Sequence, residues 1–238
     1  MPSPYVKAVT SFAIAVSIFG LAFTSAAMLS RPTILDFTPY RKPLAGGVFA
    51  SVCILGALAV LFPKECSTGL HASKMKVEPK ALKTGPNNCT IPRRKGHHPD
   101  CGRYGDHVIT LGNHCLCAAC TGLLVGAIIA LCGAFLYFFL NLNIRGINLP
   151  LVLIGQVGIV VGLVQFRFKH YIRAFANSYF TVAALLILVG VDDALGSTFI
   201  DLYYILLIVF WLSTRILVSG WDHERICRKC PDQCGLTA

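Results

Sequence analysis

The chain has 238 residues, of which 55% are apolar and only 13% charged, with a mean hydropathy of +0.66, a net charge of +10 and eleven cysteines. A soluble globular domain carries about 25% charged residues, and a chain of this size has no single core large enough to hide so much apolar surface. The composition excludes an ordinary soluble domain and predicts an all-α, polytopic transmembrane helical bundle.

A helix needs about 20 residues to cross a ~30 Å hydrocarbon core. Six segments meet that need in chain order: 8–29, 44–62, 120–140, 147–166, 176–191 and 199–218. The fourth is interrupted by Pro150, Gln156 and Gln165, and the fifth is short before it meets Asp192 and Asp193. The runs are continuous rather than alternating, which favours helices over barrel strands. The organisation reads as an N-terminal helix pair (1–62), a basic and Cys/His-rich loop (63–119), a four-helix part (120–219) and a Cys-rich tail (220–238). The first segment also has the outline of a secretory signal, with Lys7 ahead of an apolar run that ends in Thr24-Ser25-Ala26-Ala27.

Lysine and arginine set the expected orientation. With the N-terminus inside, sixteen basic residues fall on the cytoplasmic side and four on the outer side, with Arg215 inside the last helix near its inner end. This places both termini in the cytoplasm and the protein in the cell membrane. The first half of the long loop holds eight Lys/Arg between Lys64 and Lys95 together with Pro79, Gly85, Pro86 and Pro92, a composition for an irregular tether. Its charges suit anionic lipid headgroups, at about 1 kcal/mol each. Nucleic acid is not an expected partner, because interleaved aromatics and a folded binding motif are missing. The sequon Asn88-Cys89-Thr90 reads as coincidence on that side.

The second half of the loop changes character. His97, His98, Cys101, His107, His114, Cys115, Cys117 and Cys120 lie within 24 residues, and His223, Cys227, Cys230 and Cys234 form a second group in the tail. Cysteines in a reducing cytoplasm are seldom disulfides, so dense groups point to metal. A C-x-x-C step lets one short turn aim two thiolates at an ion about 2.3 Å away. Cys117-x-x-Cys120 and Cys227-x-x-Cys230 are both such steps.

Two arrangements are open. Either each group closes its own site, with His98, Cys101, Cys117 and Cys120 in the loop and His223, Cys227, Cys230 and Cys234 in the tail, or loop and tail exchange ligands in one knot. Zinc suits this donor mixture best, although Cys227-x2-Cys230-x3-Cys234 also matches part of an iron–sulfur run. Structural zinc contributes about 10–16 kcal/mol, against about 3.6 kcal/mol for closing a 57-residue loop. Cys53 and Cys132 sit within apolar helices and read as packing, while Cys66 and Cys89 have no patterned partner.

His98-Pro99, then Gly112, then Cys117-Ala118-Ala119-Cys120-Thr121-Gly122 entering a helix resembles the signature of a family of small prokaryotic polytopic membrane proteins of unknown function. This stretch covers about 30 residues of the chain, with His97 and Ala119 standing where that family often has cysteine and arginine. The resemblance implies an architecture and a ligand pattern, and no activity.

Asp192, Asp193 and Asp201 read as a solvated outer turn, with a cation or proton site as the functional alternative. Gly155, Gly158 and Gly162 in the fourth segment, and Gly122 and Gly126 in the third, read as close helix packing, with Gln156 and Gln165 bonding across the bundle. His170 reads as interfacial. No Walker loop, dinucleotide fingerprint, G-x-S-x-G elbow or H-E-x-x-H motif occurs. The favoured function is a membrane protein with a cytoplasmic zinc site for structure, sensing or docking to a protein partner. The alternatives are a metal- or thiol-dependent enzyme at the inner surface, and a small cation- or proton-coupled transporter using the three aspartates.

Overall fold

A computed structural model describes residues 4–30, 40–62, 102–111, 114–144 and 146–228. Among the described residues, six α-helices make up the bundle: α1 (Pro4–Ser30), α2 (Arg41–Leu61), α3 (Ala118–Ala134), α4 (Asn148–Leu163), α5 (His170–Leu195) and α6 (Thr198–Arg228). A π-turn, Phe135–Phe139, continues α3. All but α4 are long and apolar enough to cross a membrane. The protein is a multi-pass membrane bundle with lipid-facing rows such as Phe12, Phe19 and Phe23 on α1 and Leu55 on α2.

Several extents differ from expectation. Helix α4 spans 16 residues rather than 147–166, about 24 Å at 1.5 Å per residue, and a 3-10 turn, Gln165–Arg167, completes its path. Asn148 lies beside Asp193, and Gln165 at the other end of α4 meets Arg215, so this short helix still connects the two ends of the bundle. Helix α5 runs through Asp192 and Asp193 to Leu195 because Asp192 finds partners within the bundle, and Gly196 (φ +58) then reverses the chain. Helix α6 continues past Val218 to Arg228. The end of the loop is ordered as a 3-10 turn, Gly102–His107, and a hairpin of β1 (Val108–Leu111) and β2 (His114–Cys117) that leads straight into α3. Its register pairs Val108 with Cys117 and Leu111 with His114.

Helix α5 is the centre: 61% of its apolar window is buried, against 22–39% for the other four long helices. It packs parallel to α3 and antiparallel to α4, and glycine is what permits both approaches. Gly122 of α3 lies against the Ala174 backbone and Gly126 against Ser178, while Gly155 and Gly158 of α4 meet Ala183. Small residues let helix backbones approach closely where lipid supplies no hydrophobic drive. Gln156 reaches Ser25 Oγ and the Leu21 carbonyl, 3.0 Å each, and ties α4 to α1. Ser17 Oγ meets Thr214 Oγ1 at 3.2 Å, and Gly20 faces Leu207, which sets α1 antiparallel to α6. These contacts put the start of α1, Cys117 and the end of α6 at one end of the bundle, and Arg41, Tyr137 and Asp192 at the other.

A Cβ on Gly126 would lie 2.5 Å from the Ser178 carbonyl oxygen, and backbone cannot yield as a side chain can. Gly126→Ala therefore lowers stability in detergent by about 1–3 kcal/mol. Gly47→Ala, where nothing lies within 4 Å, does not lower it; thermal unfolding of the two variants checks the contrast.

Candidate functional site

The cysteine end is built on α3, α5 and α6. The hairpin delivers Cys117 to the position just before α3, and one helical turn brings Cys120 to the same side, where the two thiols are hydrogen-bond neighbours. Neither is in a disulfide. Opposite them lie two buried guanidiniums, Arg173 of α5 (1% exposed) and Arg215 of α6 (5%), both within electrostatic reach of Cys117.

Arg215 donates from Nε to Asn177 Oδ1 at 2.8 Å and from Nη2 to Gln165 Oε1 at 3.2 Å. Asn177 is itself held by donating to the Arg173 carbonyl at 2.6 Å. Arg173 donates from Nη1 to His107 Nε2 at 3.1 Å, which keeps that nitrogen unprotonated, and stands 3.9 Å from Asp222. Asp222 is 1% exposed and bonded to Arg225 at 3.0 Å. Thus Arg173 loosely faces the buried Asp222 carboxylate, while Arg215 is held by the neutral amides of Asn177 and Gln165. Charge left unbalanced in a low-dielectric layer is costly, and the Cys117–Cys120 dithiol is the ionisable pair that these guanidiniums face.

Loop and tail meet here, because the His107 ring lies 5.7 Å from that of His223 on α6. The 3-10 turn is pinned to the foot of α5. His170, in the left-handed region (φ +45), donates from Nδ1 to the Val108 carbonyl at 3.0 Å, and Lys169 pairs with Asp106 at 2.9 Å. The Lys169 ammonium holds the Asp106 carboxyl below the usual carboxylate range. A depressed carboxyl stabilises above its ordinary pKa and loses that contribution as pH falls through the lowered one. With both partners half-exposed, the effect is small.

Of the expected ligands, the structure brings Cys117 and Cys120 together and sets His223 against the loop's His107. His98, Cys101, Cys230 and Cys234 lie outside the described residues, as does the side chain of Cys227. Among the described residues no three His, Cys, Asp or Glu side chains converge as a metal requires. A C-x-x-C step can offer half of a tetrahedral donor set, and no third ligand stands beside this one among the described residues. Arg173, Arg215, Asn177 and Asp222 were not singled out as site residues from the sequence. The signal for them is intramembrane charge on segments otherwise apolar enough to span.

The opposite end corrects the expectation of a solvated aspartate turn. Asp192 and Asp201 are each 1% exposed. Arg41 Nη1 contacts both, with Asp201 Oδ2 at 3.0 Å, and Tyr137, presented by the π-turn, donates to Asp192 Oδ2 at 2.6 Å. Lys42 lies 4.3 Å from the Tyr137 ring centre. The carboxylates are buried because Arg41 enters with them.

Fold and site together define a multi-pass helical membrane protein with a dithiol facing two buried arginines at one end and an arginine-clamped aspartate pair at the other. No protein-family model matches the chain, and no curated protein or solved structure matches it either.

Removing Arg41 leaves two carboxylates buried without their cation. Arg41→Leu costs about 3–5 kcal/mol of stability, and adding Asp201→Asn recovers part of it. Thermal unfolding of the single and double variants in detergent measures both.

Proposed function

We propose that the cysteine end is the working part of the protein, a zinc-tied surface on the cytoplasmic face that serves structure, sensing or docking of a protein partner. The observation that carries this reading is the Cys117–Cys120 pair placed against Arg173 and Arg215. Cysteine binds metal as thiolate, and the two buried guanidiniums opposite the pair offset part of the cost of ionising it.

The remaining donors come from the loop and tail: His98 and Cys101 on one side, His223, Cys227, Cys230 and Cys234 on the other. The meeting of His107 with His223 supports the arrangement in which loop and tail share one knot. Zinc fits the Cys/His mixture better than an iron–sulfur cluster does. The excess of basic residues at this end supports its cytoplasmic placement, and the Cys117-Ala118-Ala119-Cys120-Thr121-Gly122 element supports kinship with the small prokaryotic membrane-protein family it resembles.

A second reading, an enzyme that uses the pair as a redox dithiol, is favoured by the adjacency of two reduced thiols, neither in a disulfide, at the start of a helix. The transporter reading is weaker, since the Arg41 guanidinium already occupies the position between Asp192 and Asp201 that a transported cation would take.

Protein purified without added metal should hold about one zinc ion per shared Cys/His site, and Cys117→Ser or Cys120→Ser should each abolish it in elemental analysis. Unchanged zinc in both variants overturns the assignment. Metal-free protein whose Cys117 and Cys120 cycle reversibly between dithiol and disulfide decides for the redox reading.

Orientation is tested separately by an impermeant maleimide on intact cells, with wild-type protein as the background. Leu142→Cys should react and Lys7→Cys should react only after permeabilisation; the opposite pattern reverses the topology.

A further inference from the structure

Beside the dithiol layer, and open to the exterior, lies a cavity of about 290 Å³ between the foot of α5 and the end of α6. Its charged lining comprises Arg167, Lys169, Arg173 and Arg225 against Asp106 and Asp222. His107, also in the wall, accepts from Arg173 and adds no charge through that contact. The cavity therefore carries two more positive than negative side chains.

The acids are already engaged, Asp106 by Lys169 at 2.9 Å and Asp222 by Arg225 at 3.0 Å. Arg173 is the group left short. Its side chain is 2% exposed, its approach to Asp222 is a loose 3.9 Å, and its buried Nε has no hydrogen-bond partner among the described residues. A buried guanidinium with an unused donor is costly unless an acceptor enters, and a planar guanidinium suits a tetrahedral oxyanion.

The rest of the wall says where such an anion would come from. Phe166, Phe168 and Ile226 form an apolar edge. Trp221 packs edge-on to Phe166 at 5.8 Å and lies under Arg225 at 5.2 Å. Aromatic and basic side chains together at helix ends mark the headgroup level of a bilayer. Basic pockets between transmembrane helices at that level hold lipid phosphates.

We propose that this cavity is a phosphate site, in which Arg173 and Arg167 hold the phosphate of an anionic phospholipid and the Phe166–Phe168 edge receives the start of its acyl chains. The inference does not rest on the zinc reading, because none of these groups is an assigned metal ligand.

The test uses full-length protein in phosphatidylcholine nanodiscs with and without phosphatidylglycerol, and in detergent with inorganic phosphate alone. Retained phosphatidylglycerol is counted by native mass spectrometry, and phosphate affinity is read by calorimetry. Wild-type protein should retain phosphatidylglycerol over phosphatidylcholine. Exposed Arg167→Gln, which cannot unfold the core, should weaken retention about fivefold, and Arg173→Gln about tenfold or more. Lys42→Gln, at the other end of the bundle, and prior treatment with a chelator should leave retention unchanged.

Phosphate bound with the same sensitivity to Arg167→Gln, but with no preference for phosphatidylglycerol, retains the site and assigns it to a free anion. Binding of neither, or binding indifferent to both Arg167→Gln and Arg173→Gln, overturns the proposal.

Discussion

Lipid tails are as apolar as leucine, so transmembrane helices gain little from hiding apolar surface against one another, and they depend on how closely their backbones can approach. In this bundle the approach is made on α5, where Gly122 and Gly126 of α3 and Gly155, Gly158 and Gly162 of α4 bring two neighbouring helices against one central helix. Because those contacts are short and partly backbone to backbone, they set the register of α5 as well as its distance. Everything polar in the bundle is hung from that register. Arg173 and Asn177 occupy one end of α5, and Asp192 and Asp193 the other. A slip of one turn would misplace both layers together.

The two polar layers solve opposite problems with different economy. At the aspartate end two carboxylates converge on one guanidinium, with a tyrosine hydroxyl supporting one of them. At the cysteine end the guanidiniums of Arg173 and Arg225 meet one carboxylate, Asp222, and neutral amides from Asn177 and Gln165 hold Arg215. The first layer is closed by groups that belong to the helices themselves. The second lies against the Cys117–Cys120 dithiol rather than being closed by the helices' own charges.

Much of the architecture was legible in the sequence, because a continuous apolar run of bilayer length has few other fates. All six segments were recognised as apolar runs of about spanning length, and five of the six helices they form are long and apolar enough to cross a membrane. Lengths were misjudged wherever charge was taken as a boundary. Asp192 and Asp193 looked like the end of a helix, yet α5 passes through them, because Arg41 is 151 residues away in sequence and in contact in space. Pairing across that separation leaves no local trace.

The hairpin was equally hidden, although Gly112-Asn113 between two short β-prone runs is the dipeptide type that marks such turns. The C-x-x-C step was visible by spacing. Its arginine surroundings were not, since nothing in the sequence around Arg173 or Arg215 tells which way either side chain turns.

Helix α6 carries Asp201 in its first turn and Asp222 twenty-one residues later, about 31 Å along the axis at 1.5 Å per residue. That separation matches the ~30 Å thickness of a hydrocarbon core. Twenty-one residues also turn the helix to within about 60° of its starting direction, so both carboxylates look toward the same side of the bundle. One rigid rod therefore pegs the protein at both margins of the apolar slab, and its depth in the bilayer is gauged rather than adjustable. A vertical shift of even a single turn would pull one of the two charged latches into hydrocarbon while lifting the other into water.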